Sequence, residues 1–233
     1  MNPKLLTIQT ATPAGSVALT VGDRLVGELF LDTRRPHGTW LLAACRQLLE
    51  AAGMKPGELD AFGVTIGPGS FTGLRVGLAT VKGLALSTGR PIAGVSTLQT
   101  LALQAPCAAY PVCALLDARK GEVYAATYRW VGGLPQRIGP EQVLPPERLL
   151  AGVTGPTLFV GDGAMAYRTL IVRELAERAH FLPGAFAPPR AAHAALLAAR
   201  IVSAGEAVPA TVINPVYIRP SEAELNHAHA KAP

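Results

Sequence analysis

The stretch GPGSFTGLRVG, residues 67–77, has the composition of a phosphate-binding loop ahead of a helix. A P-loop, however, needs G-x-x-x-x-G-K-[ST], and Leu74 stands where its lysine would be. The dinucleotide fingerprint G-x-G-x-x-G is also missed, because Gly73 comes one residue late. A tight turn with Ser70 or Thr72 as the helix cap explains the stretch equally well. An anion site at the start of the helix stays open as the alternative.

Carboxylates are the second group of residues that could carry chemistry, because a kinase or ATPase needs them to hold the metal of its nucleotide. The sequence has five aspartates, and two of them stand at turns suited to a nucleotide. Asp117 lies in the turn of a predicted hairpin, and Asp162 lies between two glycines at the end of a predicted buried strand. The candidates for a nucleotide-binding cleft are Asp117, Gly161, Asp162 and Gly163.

The histidine pattern does not support a metallopeptidase, since a motif such as H-E-x-x-H places two histidines four residues apart. No pair among the five histidines has that spacing, and no C-x-x-C motif is present. Nothing in the sequence fixes partners for Ser70 in a Ser-His-Asp triad. We therefore predict neither a metal site nor a catalytic residue. The histidines are His37, His180, His193, His227 and His229.

The composition is that of a globular chain, with 49% hydrophobic and 16% charged residues among 233. A net charge of +5 permits a nucleic acid partner, but no RNA-binding motif is present. Three cysteines, Cys45, Cys107 and Cys113, are too few for a disulfide framework, so we expect a reducing, cytoplasmic compartment. We expect neither a signal peptide nor a membrane span, because no uncharged apolar window reaches about 18 residues.

The order of predicted elements indicates a mixed α/β fold in two lobes. A strand meander opens the chain at 4–31, and a second strand–turn–strand unit near 112–130 repeats its layout. The other predicted elements are helices over 39–52, 71–88, 98–104, about 164–179 and 190–204, and strands over 61–66, 92–95 and 157–163. We divide the chain into an N-terminal lobe, 1–105, a C-terminal lobe, 106–220, whose last helix could return to the first lobe, and a tail, 221–233, expected to fray.

The helix predicted over 71–88 is unusually apolar, with Arg75 and Lys82 as its only charged residues. A helix that is apolar nearly all round is buried on more than one side. Small residues such as Gly73 and Gly77 also leave room for another helix. It is therefore either the central core helix or a helix that also packs on a second chain, and periodicity alone favours the core.

Four segments, in the same order along nearly the whole chain, resemble the bacterial TsaB family, also called YeaZ. LLTIQTATPAGSVAL at 5–19 resembles the opening hairpin of the family, and the other three resemble its signatures. These are GPGSFTGLRVGLATVKGLA at 67–85, LLDARKGEVYAATY at 115–128 and NPVYIRP at 214–220. The resemblance implies an α/β duplicated two-lobe fold of the actin-like ATPase, sugar-kinase and Hsp70 (ribonuclease H-like) type.

The resemblance also implies a role in making threonylcarbamoyladenosine next to the anticodon of tRNAs that read codons starting with A. The chain would be a non-catalytic subunit that requires no cofactor and pairs with TsaD, which carries the metal and the transfer chemistry. The ATPase TsaE joins the pair, ATP or ADP could bind at the complex interface, tRNA binds through the complex, and the chain alone forms a homodimer. The interface helices correspond to 38–52 and 71–87. The interface residues expected are His37, Trp40, Leu41, Ala44, Leu48, Phe71, Leu74, Arg75, Leu78 and Lys82.

One position departs from the family pattern, in which an Asp-Thr pair commonly follows the first apolar strand. Gln9 occupies the Asp position here. In actin-like ATPases that Asp helps hold the metal of the nucleotide, and a neutral amide is a poor ligand for a hard cation. The change weakens a hydrolytic role and leaves a scaffold role intact. A nucleotide-binding protein of the same fold with weak ATPase or kinase activity stays the alternative.

Overall fold

The computed structural model describes residues 2–33 and 35–219, so the tail predicted over 221–233 lies outside the described residues. The first half of the chain forms a five-stranded sheet in the order β3-β2-β1-β4-β5. The strand β1 pairs antiparallel with β2 and parallel with β4, and β5 continues the parallel side. The strands are β1 (Lys4–Gln9), β2 (Ala14–Val21), β3 (Arg24–Asp32), β4 (Ala61–Gly67) and β5 (Ile92–Ser96).

The second half repeats this sheet strand for strand. Its order is β8-β7-β6-β9-β10, with one antiparallel meander and two parallel pairings in the same places. The repetition confirms the duplicated two-lobe α/β fold of the actin-like ATPase and sugar-kinase type that the sequence predicts. The strands are β6 (Val112–Arg119), β7 (Glu122–Val131), β8 (Leu134–Leu144), β9 (Thr157–Val160) and β10 (Ala179–Phe181).

Seven α-helices cover the two sheets in the described part of the chain. They are α1 (Leu41–Ala51), α2 (Phe71–Thr88), α3 (Thr97–Ala102), α4 (Pro146–Leu150), α5 (Asp162–Ala166), α6 (Arg168–Leu175) and α7 (Ala191–Ser203). The longest, α2, begins after Ser70, whose Oγ accepts a hydrogen bond from the N–H of Gly73, and ends at the left-handed Gly89. No helix among the described residues is both long and apolar enough to cross a bilayer.

The two lobes exchange a helix with each other. On β1, Leu6 and Ile8 face a core shared with α1 and α2, whereas Leu5 on the other side packs with α7 from the second half. Conversely, α3 from the first half packs against the second sheet, where Leu98 and Leu101 join its core. The opposite side of the second sheet is covered by α4, α5 and α6.

Two parts of the second lobe differ from the sequence prediction. The single helix predicted over about 164–179 is wrong, because the chain breaks at Tyr167 into α5 and α6 and then forms β10. The strand β8 was not predicted, since its largely exposed residues include Gln136, Arg137 and Gly139 and show no apolar alternation. As the edge strand of its sheet, β8 needs few buried side chains.

Candidate functional site

A cavity of about 740 Å³ lies between the two lobes. The first lobe contributes the turn after β1, at Ala11 and Thr12, and the loop before α2, at Gly69 and Ser70. The second lobe contributes the end of β6, the residues of the following turn, and Asp162 at the start of α5. This is the cleft in which the sequence places its nucleotide candidates.

The two carboxylates of the cleft are engaged with the chain itself. Asp162 accepts a hydrogen bond from the Asp117 N–H at 3.1 Å, and Asp117 accepts one from the Arg119 N–H at 2.8 Å and pairs with the Arg119 guanidinium at 3.1 Å. Burial is the largest effect on the Asp162 carboxyl and raises its pKa, and the nearby charge of Asp117 raises the pKa further. The N–H groups of Asp117 and Gly163 and the charge of Arg119 act in the opposite direction. Both carboxyl groups therefore already accept hydrogen bonds from the chain itself.

The glycines Gly161 and Gly163 place α5 close to β6. A Cβ at Gly161 would lie 2.0 Å from the carbonyl oxygen of Leu115, and Gly161 has a φ of 108°. A Cβ at Gly163 would lie 2.9 Å from the carbonyl carbon of Leu116. Both glycines therefore have a packing role within the second lobe.

Gln9 is fully buried, and its side-chain amide forms hydrogen bonds with backbone groups. Its Nε2 donates to the carbonyl oxygens of Ala14 at 3.3 Å and Pro189 at 3.0 Å, and its Oε1 accepts from the N–H of Ala11 at 2.5 Å. The side chain thus ties the first hairpin to the segment that precedes α7. At this position the chain has a structural cross-link between lobes.

The glycine loop packs against the turn after β1. The Ser70 N–H donates to the Ala11 carbonyl at 2.7 Å, and Thr10 Oγ1 donates to the Gly73 carbonyl at 2.8 Å. A Cβ at Gly69 would lie 2.3 Å from the Ala11 carbonyl oxygen, and one at Gly73 would lie 2.0 Å from the Thr10 carbonyl oxygen. The glycines therefore allow a close backbone approach, which is the tight-turn alternative of the sequence analysis.

A segment at 214–219, here called the C-terminal strap, crosses the mouth of the cleft. The Val216 N–H donates to the Ile66 carbonyl at 2.7 Å in the first lobe. The Tyr217 ring packs on Phe71, with 5.0 Å between the ring centroids. Arg219 then reaches the second lobe, where it donates to the Ala118 carbonyl at 2.7 Å and pairs with Glu122. Sequence reasoning did not assign roles to Tyr217 and Arg219, although the signature at 214–220 contains both.

Half of the residues expected at the partner interface are buried in the chain's own core. Their exposed fractions are at most 8%, so these side chains offer little surface to a second chain. They are Leu41, Ala44, Leu48, Leu74 and Leu78. The inner sides of α1 and α2 pack on the first sheet, so the accessible surface of both helices is their outer side.

The other five expected residues are at least partly accessible. His37 and Trp40 are half-buried next to each other, and His37 Nε2 lies 2.9 Å from the Thr12 carbonyl oxygen. Phe71, Arg75 and Lys82 lie along α2.

The outer face of α2 also exposes three small or apolar residues that the sequence analysis did not select. Ala79 and Gly83 are exposed, and Leu86 is 68% exposed. With Arg75 and Lys82 these residues recur at helical spacing along one side. On α1, Leu42 is 60% exposed.

The remaining histidines and cysteines are dispersed over the fold. His180 stacks on Tyr110. Burial lowers the pKa of His193, an effect that the charge of Glu28 opposes and the charge of Arg190 reinforces. Within residues 2–33 and 35–219, no three His, Cys, Asp or Glu side chains cluster as a metal site would require. Cys45 and Cys113 are buried thiols and Cys107 is exposed. His227 and His229 lie outside the described residues.

Comparison with known proteins places the chain in a family. A family model described as TsaD: tRNA N6-adenosine threonylcarbamoyltransferase matches residues 31–227. The tRNA threonylcarbamoyladenosine biosynthesis protein TsaB of Bacillus subtilis is 30% identical over 94% of this chain and 96% of its own length. The Escherichia coli protein of the same name is 34% identical, covering 93% and 94%.

A solved structure agrees with these sequence relatives. YeaZ from Pseudomonas aeruginosa superposes with a TM-score of 0.82 at 35% identity, over 92% of this chain and 99% of that one. Relatives that match over nearly their full length thus carry the TsaB or YeaZ name, and the duplicated fold agrees with them. The chain belongs to the TsaB (YeaZ) family.

Proposed function

We propose that this chain is a non-catalytic, cytoplasmic subunit of the machinery that makes threonylcarbamoyladenosine in tRNAs reading codons that start with A. In this proposal it pairs with TsaD through the outer faces of α1 and α2. TsaE joins the pair, and tRNA binds through the complex. The names of the full-length relatives support the pathway.

The observation that carries the pairing is the outer face of α2. Leu86 is the most exposed large hydrophobic side chain in the described part of the chain, and Ala79 and Gly83 beside it let another helix approach closely. A helix that is covered on its inner side by the sheet, and that exposes a leucine and small residues on its outer side, fits a helix–helix contact with a second chain.

The cleft supports a scaffold more than an ATPase. The position expected to hold a metal ligand is Gln9, which is buried and bound to three backbone groups. The N–H of Ser70 is used within the chain, and Asp117 and Asp162 are held by neighbouring groups. These contacts support the proposal that the partner carries the chemistry.

The test is binding of the purified chain to purified TsaD from the same organism. Leu86→Glu should weaken binding about tenfold or more, because a carboxylate would be buried without a partner at the contact. The matched control is Val172→Glu, since Val172 is 45% exposed on α6 in the other lobe. Wild-type chain that does not bind TsaD, or Leu86→Glu that binds as tightly as wild type, would refute the proposed pairing.

The cavity between the lobes favours one alternative, a nucleotide-binding protein with weak ATPase activity. Its volume suits a small ligand, and Asp117 and Asp162 line it. Magnesium-dependent ATP turnover by the pure chain, lost in Asp117→Ala, would establish this alternative. Absence of turnover and of nucleotide binding by calorimetry would exclude it.

A further inference from the structure

A groove of about 510 Å³ runs between α2 and the C-terminal strap, on the outer side of the first lobe. Its floor is formed by Leu78 and Ala79, and Pro215 and Tyr217 form the strap side. Two cations, Arg75 and Lys82, are the charged residues that line it. No carboxylate among residues 2–33 and 35–219 lines this groove, so within that part of the chain its two positive charges have no counter-charge.

The guanidinium of Arg75 is held in a fixed position. Its central carbon lies 3.9 Å from the centroid of the Phe71 ring, and its Nε donates to the Tyr217 hydroxyl at 3.2 Å. Nothing in residues 2–33 and 35–219 forms an ion pair with Arg75, and its two Nη groups remain for an acceptor. A preorganised guanidinium loses little entropy when it binds a carboxylate.

Lys82 lies two turns after Arg75 on the same side of α2. The described part of the chain offers its ammonium no hydrogen bond or ion pair, and the side chain is half-buried beside Ala79. Leu86 extends the same side by one more turn. Along this side of α2 a cation is therefore followed by a small residue, a second cation and an exposed leucine.

We infer that this groove selects an acidic, amphipathic helix on TsaD, with carboxylates facing Arg75 and Lys82 and apolar residues facing Ala79 and Leu86. The inference rests on the proposed function, which it refines by giving the partner surface a charge. A second copy of this chain is a poorer occupant, because its α2 carries the same two cations and no acidic residue. Self-association through this face is therefore weaker than pairing with TsaD.

A protein helix fits this surface better than an RNA backbone does. A phosphate chain would satisfy Arg75 and Lys82 but would leave Ala79 and Leu86 facing water or sugar. A helix that alternates acidic and apolar residues covers both kinds of surface at once.

The test is the affinity for purified TsaD, measured by calorimetry at low and at high salt. Lys82→Glu should weaken binding about tenfold or more, and high salt should weaken wild-type binding and narrow the difference. Lys82→Gln should show a smaller loss in the same direction. Arg129→Glu is the control, since Arg129 is exposed on β7 and makes no ion pair among the described residues, and it should bind as wild type. Circular dichroism checks that every variant is folded.

The other possible outcomes can be distinguished from one another. Wild-type binding with an unchanged affinity in folded Lys82→Glu overturns the inference and leaves the proposed pairing intact, whereas no binding by wild type refutes both. Lys82→Glu that keeps its TsaD affinity but loses tRNA binding would assign the groove to phosphate, against the inference. If sedimentation shows that the wild-type chain self-associates more tightly than it binds TsaD, the face would be assigned to a second copy. That outcome would also overturn the inference.

Discussion

Replacing Gly73 by alanine tests whether the glycine loop exists for close packing. A Cβ at Gly73 would lie 2.0 Å from the carbonyl oxygen of Thr10, and the obstacle is backbone that cannot rotate away. Gly83 lies ten residues later on the same helix, and a Cβ there would meet no atom within 4 Å. Gly83→Ala is therefore the matched control.

The two substitutions should shift stability in opposite directions. At Gly83, alanine gains about 1 kcal/mol from helix propensity alone. At Gly73 that gain is outweighed by an overpacking cost of about 1–3 kcal/mol. The displaced turn would also lose the hydrogen bond from Thr10 Oγ1 to the Gly73 carbonyl, which contributes about 1 kcal/mol. We expect a net loss of about 2 kcal/mol for Gly73→Ala.

Thermal unfolding followed by circular dichroism measures both changes. For a chain of this size, 1 kcal/mol corresponds to about 2–4 °C in Tm. Gly73→Ala should therefore lower Tm by about 4–8 °C, while Gly83→Ala should raise it by about 2–4 °C. A Gly73→Ala protein as stable as wild type would refute the close approach of α2 to the first hairpin.

Three further substitutions test other contacts. Gln9→Asp should destabilise the chain by about 3 kcal/mol in urea unfolding, because a shorter buried carboxylate cannot serve the same backbone groups, and it should not create ATP turnover; an active, stable variant would contradict this. Glu28→Ala should cost about 2 kcal/mol, since Glu28 accepts from Arg190 at 2.7 Å and from the Ala192 N–H at 3.2 Å; an unchanged urea midpoint would contradict it. Asp162→Asn should stabilise the chain at neutral pH but not in acid. Its folded pKa is raised, so ionisation above the ordinary value of about 3.9 favours the unfolded state; a gain that is equal at all pH values would contradict the cause.

The first lobe could be predicted closely from the sequence because its signals are local. Apolar strands, the turn at Gly22 and the capped, glycine-terminated α2 define β1, β2 and α2 without reference to distant residues. The second lobe was predicted less well, since β8 has a polar edge-strand composition and no proline or glycine marks the break at Tyr167.

The candidate site, too, could be predicted from the sequence only in part. Asp117 and Asp162 could be found because they lie at the ends of predicted strands, and the sheet topology brings them into one cleft. The sequence pattern could not separate the inner from the outer side of α2, because Leu78 and Leu86 are both apolar although only Leu86 is exposed. Nor could it show that Gln9 reaches Pro189, a contact between residues 180 positions apart.

The exchange of α3 and α7 between the lobes has a consequence for how the chain becomes functional during synthesis. The first sheet lacks one of its layers until α7 has been made, so Leu5, Ala61 and Ala93 stay uncovered on a nascent chain. The loop before α2 can take its final position only after the C-terminal strap has been made, because Gly67 lies against Val216 in that strap. A fragment ending at the boundary predicted near residue 105 would expose an apolar sheet face to chaperones and proteases. A partner that requires a correctly seated α2 would therefore bind finished chains and pass over incomplete ones.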